Sequence, residues 1–148
     1  MDAPVALSMD PVDKMAPADL GWSANREPGF TAVVGPVWER PEGDRIRYGL
    51  LTHTMHANLN GIVHGGLIAV FADFALAMES RRVNQGAQQA TIQLDIHFAD
   101  AVQIGEFIEA DCVVTRATRS VTFVTGRILV SERVVATANG IWKIQRRS

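Results

Sequence analysis

Residues 56–82 read HANLNGIVHGGLIAVFADFALAMESRR, a glycine-containing segment followed by a long run of mostly apolar residues. Gly61, Gly65 and Gly66 in the first part predict a loop with unusual backbone angles or a close approach by a ligand. The run from Leu67 to about Arg82 is apolar on nearly every side, which predicts a helix buried by the rest of the chain. It is the one long helix that the sequence predicts.

Strand patterns lie on both sides of this helix. Before it, Phe30–Val37 is apolar and β-branched and Asp44–Leu51 alternates apolar with polar residues, so we expect a hairpin through residues 41–44. After the helix, four further strands are predicted, with short turns at residues 117–118 and 131–132. Their predicted bounds are Thr91–Phe98, Glu106–Arg116, Arg119–Val130 and Arg133–Gln145.

The first of these four strands alternates strictly. Ile92, Leu94 and Ile96 are predicted on one face, and Thr91 begins the polar series on the other. One helix followed by antiparallel strands is an α+β arrangement, and the chain lacks the repeated strand–helix alternation of a doubly wound sheet.

The first 29 residues differ in composition from the rest. Residues 1–29 contain several prolines and glycines, so we expect a partly irregular N-terminal arm followed by a folded domain over residues 30–148. Apolar side chains that could dock this arm onto the domain are Met9, Met15, Leu20 and Trp22.

The composition excludes several classes of protein. With 148 residues, 47% of them hydrophobic, the chain has enough apolar surface for one folded core. Its formal net charge of −2 gives no strong field for a phosphate backbone or an anionic membrane, so neither is an expected partner. The longest apolar run, residues 67–78, is too short to span a bilayer, and the start lacks a signal-peptide pattern. A cytoplasmic protein is therefore predicted.

Asp73 is a charged residue inside this apolar run. The helical neighbours three and four positions away are all apolar, so none of them can pair with the carboxylate: Ala69, Val70, Leu76 and Ala77. An isolated carboxylate in such surroundings is a candidate general base or nucleophile. The alternative is that Asp73 only bonds a backbone group or faces water.

His64, Gly65 and Gly66 lead into the predicted helix. A helix N-terminus presents unpaired N–H groups, and glycine lets a substrate oxygen approach them, so this is a candidate oxyanion site. The alternative is a plain tight turn. The segment fits neither the dinucleotide pattern G-x-G-x-x-G nor the phosphate loop with its lysine.

Metal and thiol chemistry have weaker support. Within a strand, a spacing of three residues would put His53 and His56 on opposite faces, and no acidic or cysteine ligand lies nearby at a fixed spacing. Cys112 lies in an apolar strand pattern without a neighbouring base, which favours a packing role. No G-x-S-x-G motif is present, so a serine triad is not favoured.

The residues quoted above form a longer pattern. His56, Asn58, Gly61, His64-Gly65-Gly66 and Asp73 resemble the signature H-x-N-x-x-G-x-x-H-G-G-x-x-x-x-x-x-D of the hotdog-fold acyl-CoA thioesterases of the phenylacetate-pathway (PaaI) type. The resemblance extends over about residues 30–145. It implies a curved antiparallel sheet around the helix, and a homodimer that is often paired again into a homotetramer.

The resemblance also implies site roles. Asp73 matches the general base or nucleophile, and Gly65 matches the backbone amide that polarises the thioester carbonyl. Asn58 matches the side chain that holds the thioester or the attacking water. Thr91 lies where the family often has Ser or Thr beside the acid, and His64 resembles a residue that orders the loop.

The family's acid and amide come from opposite subunits, so the resemblance implies an inactive monomer. Residues on a predicted strand hairpin match positions that commonly meet the nucleotide end of coenzyme A: Arg116, Arg119 and Ser120. One departure concerns the segment after Phe98, where residues 99–101 replace the usual proline and leave the local loop shape open.

We therefore expect hydrolysis of an acyl- or aroyl-CoA to the free acid and coenzyme A, with no metal and no bound cofactor. One alternative is a hotdog dehydratase or hydratase of β-hydroxyacyl thioesters, in which His64 would act with the helix acid. The other is a non-catalytic acyl-CoA binding protein with the same fold.

Overall fold

The computed structural model describes residues 16–145. Short 3-10 helices span Pro17–Leu20 and Thr54–His56. The α-helices are α1 (Phe30–Val34) and α2 (Gly65–Val83). The strands are β1 (Ser23–Asn25), β2 (Val37–Glu42), β3 (Arg45–Leu51), β4 (Gln88–Phe98), β5 (Phe107–Ala117), β6 (Val121–Val130) and β7 (Arg133–Gln145).

The strands form one seven-stranded sheet in the order β1-β2-β3-β5-β6-β7-β4. All neighbouring strands are antiparallel, which confirms the predicted α+β arrangement. The chain crosses from β3 through α2 to β4 at the far edge of the sheet, and it returns to β3 with β5. The central helix therefore lies between the two strands that it connects, packed on the inner face of the sheet.

The helix α2 has the buried character that its sequence predicts. Its core side chains pack with residues of the sheet, and Phe71 and Leu76 are almost fully buried. Gly126 on β6 permits this approach, because a Cβ there would lie 2.8 Å from Leu76 Cδ1. Cys112 is buried in the same core, as the predicted packing role requires, and this burial raises the pKa of its thiol. Within residues 16–145, no helix is long and apolar enough to cross a membrane.

The predicted strand over Phe30–Val37 is wrong. Residues 30–34 form α1, and the hairpin strand begins only at Val37. Gly29 (φ +96°) and Gly35 (φ +119°) bound α1 with backbone angles that interrupt an extended path. Tertiary context therefore overrides the β-branched composition of this segment.

The described part of the N-terminal arm joins the sheet. Strand β1 pairs with β2, and no sequence pattern predicted it. Trp22 is buried, and its ring packs edge-on against Phe107 at a centroid distance of 5.1 Å. Leu20 is exposed, and Met9 and Met15 lie outside the described residues. The predicted docking of the arm is thus confirmed for Trp22.

The segment after Phe98, where the family's proline is missing, is held by charged groups. Arg133 bonds Asp100 at 2.9 Å and both carboxylate oxygens of Glu106 at 3.0 Å. The hydrogen bond from Arg133 lowers the pKa of Asp100. An arginine on β7 therefore fixes the loop without a proline.

Candidate active site

Asp73 and Thr91 meet between α2 and β4. The Thr91 hydroxyl donates a hydrogen bond of 2.9 Å to Asp73 Oδ1. Asp73 is half-buried and Thr91 is exposed, so the pair lies at an opening rather than in the core. The structure thus brings together two of the residues that the sequence singled out. Among residues 16–145, the second carboxylate oxygen of Asp73 has no hydrogen-bond partner.

A bulge in β4 makes this contact possible. Thr91 pairs with Trp142 and Gln93 pairs with Ile141, which leaves Ile92 as an extra residue without a partner in β7. Beyond the bulge, Leu94 and Ile96 pack against the core. The predicted strict alternation is therefore wrong at Ile92, because one extra residue changes which side chains face the helix. Thr91 consequently faces α2 together with Leu94 and Ile96.

The N-terminus of α2 carries the second part of the site. The Gly66 N–H donates to His64 Nδ1 at 2.8 Å, so His64 caps the helix. Among residues 16–145, no acceptor takes the Gly65 N–H. This N–H therefore remains available for a ligand oxygen at the positive end of the helix dipole.

Phe98 covers one side of Gly65. A Cβ built on Gly65 would lie 3.3 Å from the Phe98 ring, which is closer than ordinary contacts. Phe98 is 56% exposed, so its other face is open. Glycine at position 65 therefore leaves room for the ring and for an oxygen beside it.

Asn58 orders the loop before α2. Its Oδ1 accepts hydrogen bonds from the N–H groups of Asn60 (2.8 Å) and Ile62 (3.3 Å). Within the described chain, its Nδ2 has no acceptor. The side chain therefore holds the loop with its oxygen and leaves the amide N–H donors available.

His56 connects this loop to α1. Its Nδ1 accepts from the His53 N–H at 3.1 Å, and its Nε2 lies 2.6 Å from the Val34 carbonyl oxygen. A backbone N–H can only donate, so Nδ1 carries no proton and Nε2–H donates to Val34. Burial lowers the pKa of His56, which agrees with a neutral ring. The His56 carbonyl in turn accepts from the His64 N–H at 2.8 Å.

The expected strand geometry of His53 and His56 is wrong. His53 caps the 3-10 helix Thr54–His56, and His56 is the last residue of that helix, so their ring centroids lie 3.7 Å apart. Across residues 16–145, no group of three or more His, Cys, Asp or Glu side chains could hold a metal ion. The rings of His53 and His56 each accept a backbone hydrogen bond within this segment, from Met55 and His53 respectively.

Asp73 opens into a cavity of about 550 Å³. Six apolar residues line part of it: Phe30, Val70, Phe74, Ala77, Met78 and Ala87. Besides Asp73, polar side chains line the remainder: Glu27, Thr31, Arg81, Gln88, Gln89 and Gln145. Phe71, one helical position from Val70, is buried in the core instead and does not line the cavity.

Gly65 and Asp73 cannot act on one small group within a single chain. They are eight residues apart in α2, which corresponds to about 12 Å along the helix axis. A carbonyl group must lie about 3 Å from a donor that binds its oxygen. A site that uses both residues on one carbonyl therefore needs a second copy of the chain.

A family model described as thioesterase superfamily matches residues 60–137, more than half of the chain. The chain belongs to the thioesterase superfamily. A Pseudomonas aeruginosa protein, whose name gives it a provisional esterase assignment, is 26% identical over 114 residues. The match covers 76% of this thioesterase-superfamily chain and 85% of that protein.

Three solved structures share the fold. Thioesterase superfamily member 2 of zebrafish has a TM-score of 0.73 at 22% identity, over 81% of this chain and 89% of that one. A mutant of the phenylacetic acid degradation protein PaaI of Thermus thermophilus has a TM-score of 0.70 at 18% identity, over 78% of this chain and 98% of that one. A Bacillus halodurans protein solved with CoA has a TM-score of 0.71 at 21% identity, over 84% of this chain and 83% of that one. The predicted hotdog fold is confirmed.

The predicted coenzyme A residues lie apart from Asp73 in this thioesterase-superfamily chain. Arg116 lines a groove of about 410 Å³ on the outer face of the sheet, beside Phe123 and Ile141. Arg119 and Ser120 lie in the turn between β5 and β6, where the Ser120 carbonyl accepts from the Ile144 N–H at 2.8 Å. Within one chain, the outer groove and the Asp73 cavity share no lining residue.

Proposed function

We propose that this chain hydrolyses an acyl- or aroyl-CoA thioester to the free acid and coenzyme A, without a metal or a bound cofactor. The observation that carries the proposal is the Thr91–Asp73 pair at the wall of a 550 Å³ cavity. The unused Gly65 N–H at the N-terminus of the same helix adds a donor for a developing oxyanion. Superfamily membership supports the same reaction class.

The active unit in this proposal is a homodimer, with a homotetramer as a further assembly. The distance of about 12 Å along α2 separates the acid of one copy from its own amide. Strand β4 forms one edge of the sheet described over residues 16–145. Ile92 on this edge is 58% exposed. A long edge strand with exposed apolar side chains favours pairing with a second copy.

The reaction then follows from these groups. The Gly65 N–H of one copy binds the thioester oxygen, and Asp73 of the other copy takes a proton from water. The water oxygen attacks the carbonyl carbon, and negative charge develops on the bound oxygen. The carbon–sulfur bond breaks, and the departing thiolate receives the proton from Asp73. In the alternative path Asp73 attacks directly, the thiolate leaves, and water then hydrolyses the resulting anhydride.

Further residues have supporting roles in the proposal. Thr91 orients the Asp73 carboxylate, and Asn58 offers its free amide N–H to the thioester or the water. His64 keeps the helix start in place by capping Gly66. Arg116, Arg119 and Ser120 contact the nucleotide end of coenzyme A. The Bacillus halodurans protein, solved with CoA, supports coenzyme A as the ligand class.

The role of Asp73 is tested by release of free thiol from short, long and aromatic acyl-CoAs. Loss of a positioned base costs about 10²–10⁴-fold in rate, so Asp73→Asn should lose most turnover while keeping its fold. Asp44→Asn is the matched control, because Asp44 is exposed between β2 and β3 and lines neither the Asp73 cavity nor the outer groove. Near wild-type hydrolysis by Asp73→Asn would sink the catalytic assignment.

The same assay separates the alternatives. A passive binding protein would bind acyl-CoA tightly and release no thiol. A dehydratase or hydratase would change a β-hydroxyacyl or enoyl thioester without cleaving it. His64 Nδ1 already accepts the Gly66 N–H, so a proton-transfer role would fall on Nε2 alone.

A further inference from the structure

We propose that α1 forms the far wall of the acyl pocket, and that Phe30 packs against the end of a medium-length acyl group such as octanoyl and so favours that group over shorter ones. This inference rests on the proposed thioesterase function and adds the substrate class. It concerns a segment that lies before the resemblance signature and that the sequence patterns assigned to a strand.

The position of α1 supports this proposal. Phe30 and Thr31 line the same cavity as Asp73, and Glu27 precedes them on its polar rim. Phe74 and Met78 of α2 line it as well. The cavity therefore lies between the helix that carries the acid and a short segment from another part of the chain.

The exposure of Phe30 supports a ligand contact. Its side chain is 66% exposed although it lines a cavity, so the described protein leaves most of its ring uncovered. Burying such a ring against an apolar acyl group is favourable by the hydrophobic effect. Its partners in the cavity, Phe74 and Met78, are half-buried and apolar, so the same acyl group can contact all three.

The attachments of α1 make this wall adjustable. At one end, Glu27 pairs with Arg81 of α2 at 3.9 Å, and at the other the Val34 carbonyl accepts from His56. Gly29 and Gly35 bound the segment with positive φ values. The wall is therefore set by a few side-chain contacts and not by the hydrogen bonds of the sheet, so a substitution at Phe30 changes the cavity without disturbing the strands.

The experiment compares kcat/KM for acetyl-, hexanoyl-, octanoyl- and palmitoyl-CoA in Phe30→Ala, Phe30→Trp and a control. Val33→Ala is the matched control, since Val33 is 79% exposed on the same helix and does not line the cavity. Phe30→Ala should reduce kcat/KM for octanoyl-CoA about tenfold or more relative to acetyl-CoA, because only the longer chain reaches the ring. Phe30→Trp should shift the preference towards shorter chains, and Val33→Ala should leave the profile unchanged.

Two results would overturn the inference while the proposed function stands. One is an equal change for all chain lengths, which would assign Phe30 to the coenzyme A side. The other is an unchanged profile with an altered mass in solution, which would mean that a second copy covers Phe30. Absence of thiol release by the wild type with every substrate would instead refute the proposed function. In that case, an unchanged Kd for octanoyl-CoA in Phe30→Ala would also overturn the inference.

Discussion

The two candidate catalytic groups of α2 are supported in different ways. Gly65, at the start of the helix, offers a backbone N–H, and its surroundings come from the capping side chain of His64 and from Phe98. Asp73, in the middle of the helix, offers a side chain, and its partner Thr91 comes from an edge strand. The backbone donor at Gly65 therefore depends on a fixed loop, whereas the carboxylate of Asp73 depends on the register of β4, the strand that carries its partner Thr91.

The loop at Gly65 and the register at Asp73 are set by separate parts of the chain. The loop is tied to α1 through His56 and Val34, and the register is set by the bulge at Ile92. Perturbing one should leave the other intact, since they share no hydrogen bond. Substitutions at Gly65 and at Thr91 therefore test whether the loop and the strand register act independently.

Besides the loss expected at Asp73, the largest effect is expected from removing the Gly65 N–H. Gly65→Pro deletes this donor at the first helical position, where proline is otherwise well tolerated, and should reduce kcat about 10²–10³-fold. Gly65→Ala keeps the N–H while meeting the same Phe98 ring, so it is the control for crowding. Equal losses in both variants would contradict a role for the N–H.

The same variant tests whether the two groups act across subunits. Mixing Gly65→Pro with Asp73→Asn, after exchange of subunits, should restore part of the activity. Each mixed dimer would contain one site with both an intact amide and an intact acid. Failure to regain activity, with mixed dimers demonstrated by mass spectrometry, would argue against the shared site.

A smaller effect is expected at Thr91. Thr91→Val keeps the shape of the side chain but removes the hydrogen bond to Asp73, so kcat should fall about tenfold and its dependence on pH should shift. Thr137→Val is the control, because Thr137 lies on β7 and lines neither the Asp73 cavity nor the outer groove. An unchanged kcat and pH profile would show that Thr91 does not orient the acid.

The smallest effect is expected at His56, and it is a change in how the free energy of unfolding depends on pH. Burial lowers the pKa of His56 in the folded state, so the unfolded chain binds the proton first as the pH falls. The free energy of unfolding should therefore decrease as the pH drops below about 6.5. His56→Asn should weaken this decrease in urea titrations at several pH values, whereas His97→Asn, on the exposed part of β4, should not. An identical pH dependence in His56→Asn and the wild type would contradict a neutral His56 ring in the folded protein.

Much of the fold could be predicted because its signals are local. The apolar run of α2 and the alternation in β5, β6 and β7 each fix an element within a few residues of its observed bounds. The segment Phe30–Val37 failed because its composition favours a strand while Gly29 and Gly35 turn the chain. Strand β1 has three residues, too few to carry a periodic pattern.

The candidate site could be predicted only in part. The spacing of His64-Gly65-Gly66 and Asp73 is visible in the sequence, because both lie on one continuous helix. The contacts of Phe98 with Gly65 and of His56 with Val34 join residues far apart in the chain, so no local pattern contains them. The bulge in β4 could not be predicted either, because residues 91–98 alternate as a regular strand does. The extra residue, Ile92, is identified only by the pairing of β4 with β7.

The extra residue at Ile92 has a consequence for how β4 can change. Deleting it would return the strand to unbroken pairing, with every remaining side chain still of the right type for a strand. Thr91 and Leu94 already pair with Trp142 and Gly140, which are two residues apart in β7, so both would still face α2 after this deletion. A one-residue deletion between Leu94 and Ile96 has no extra residue to absorb it, and it would turn one part of the strand away from the helix. The position of a deletion in β4 therefore decides whether the core and the contact with the acid both survive.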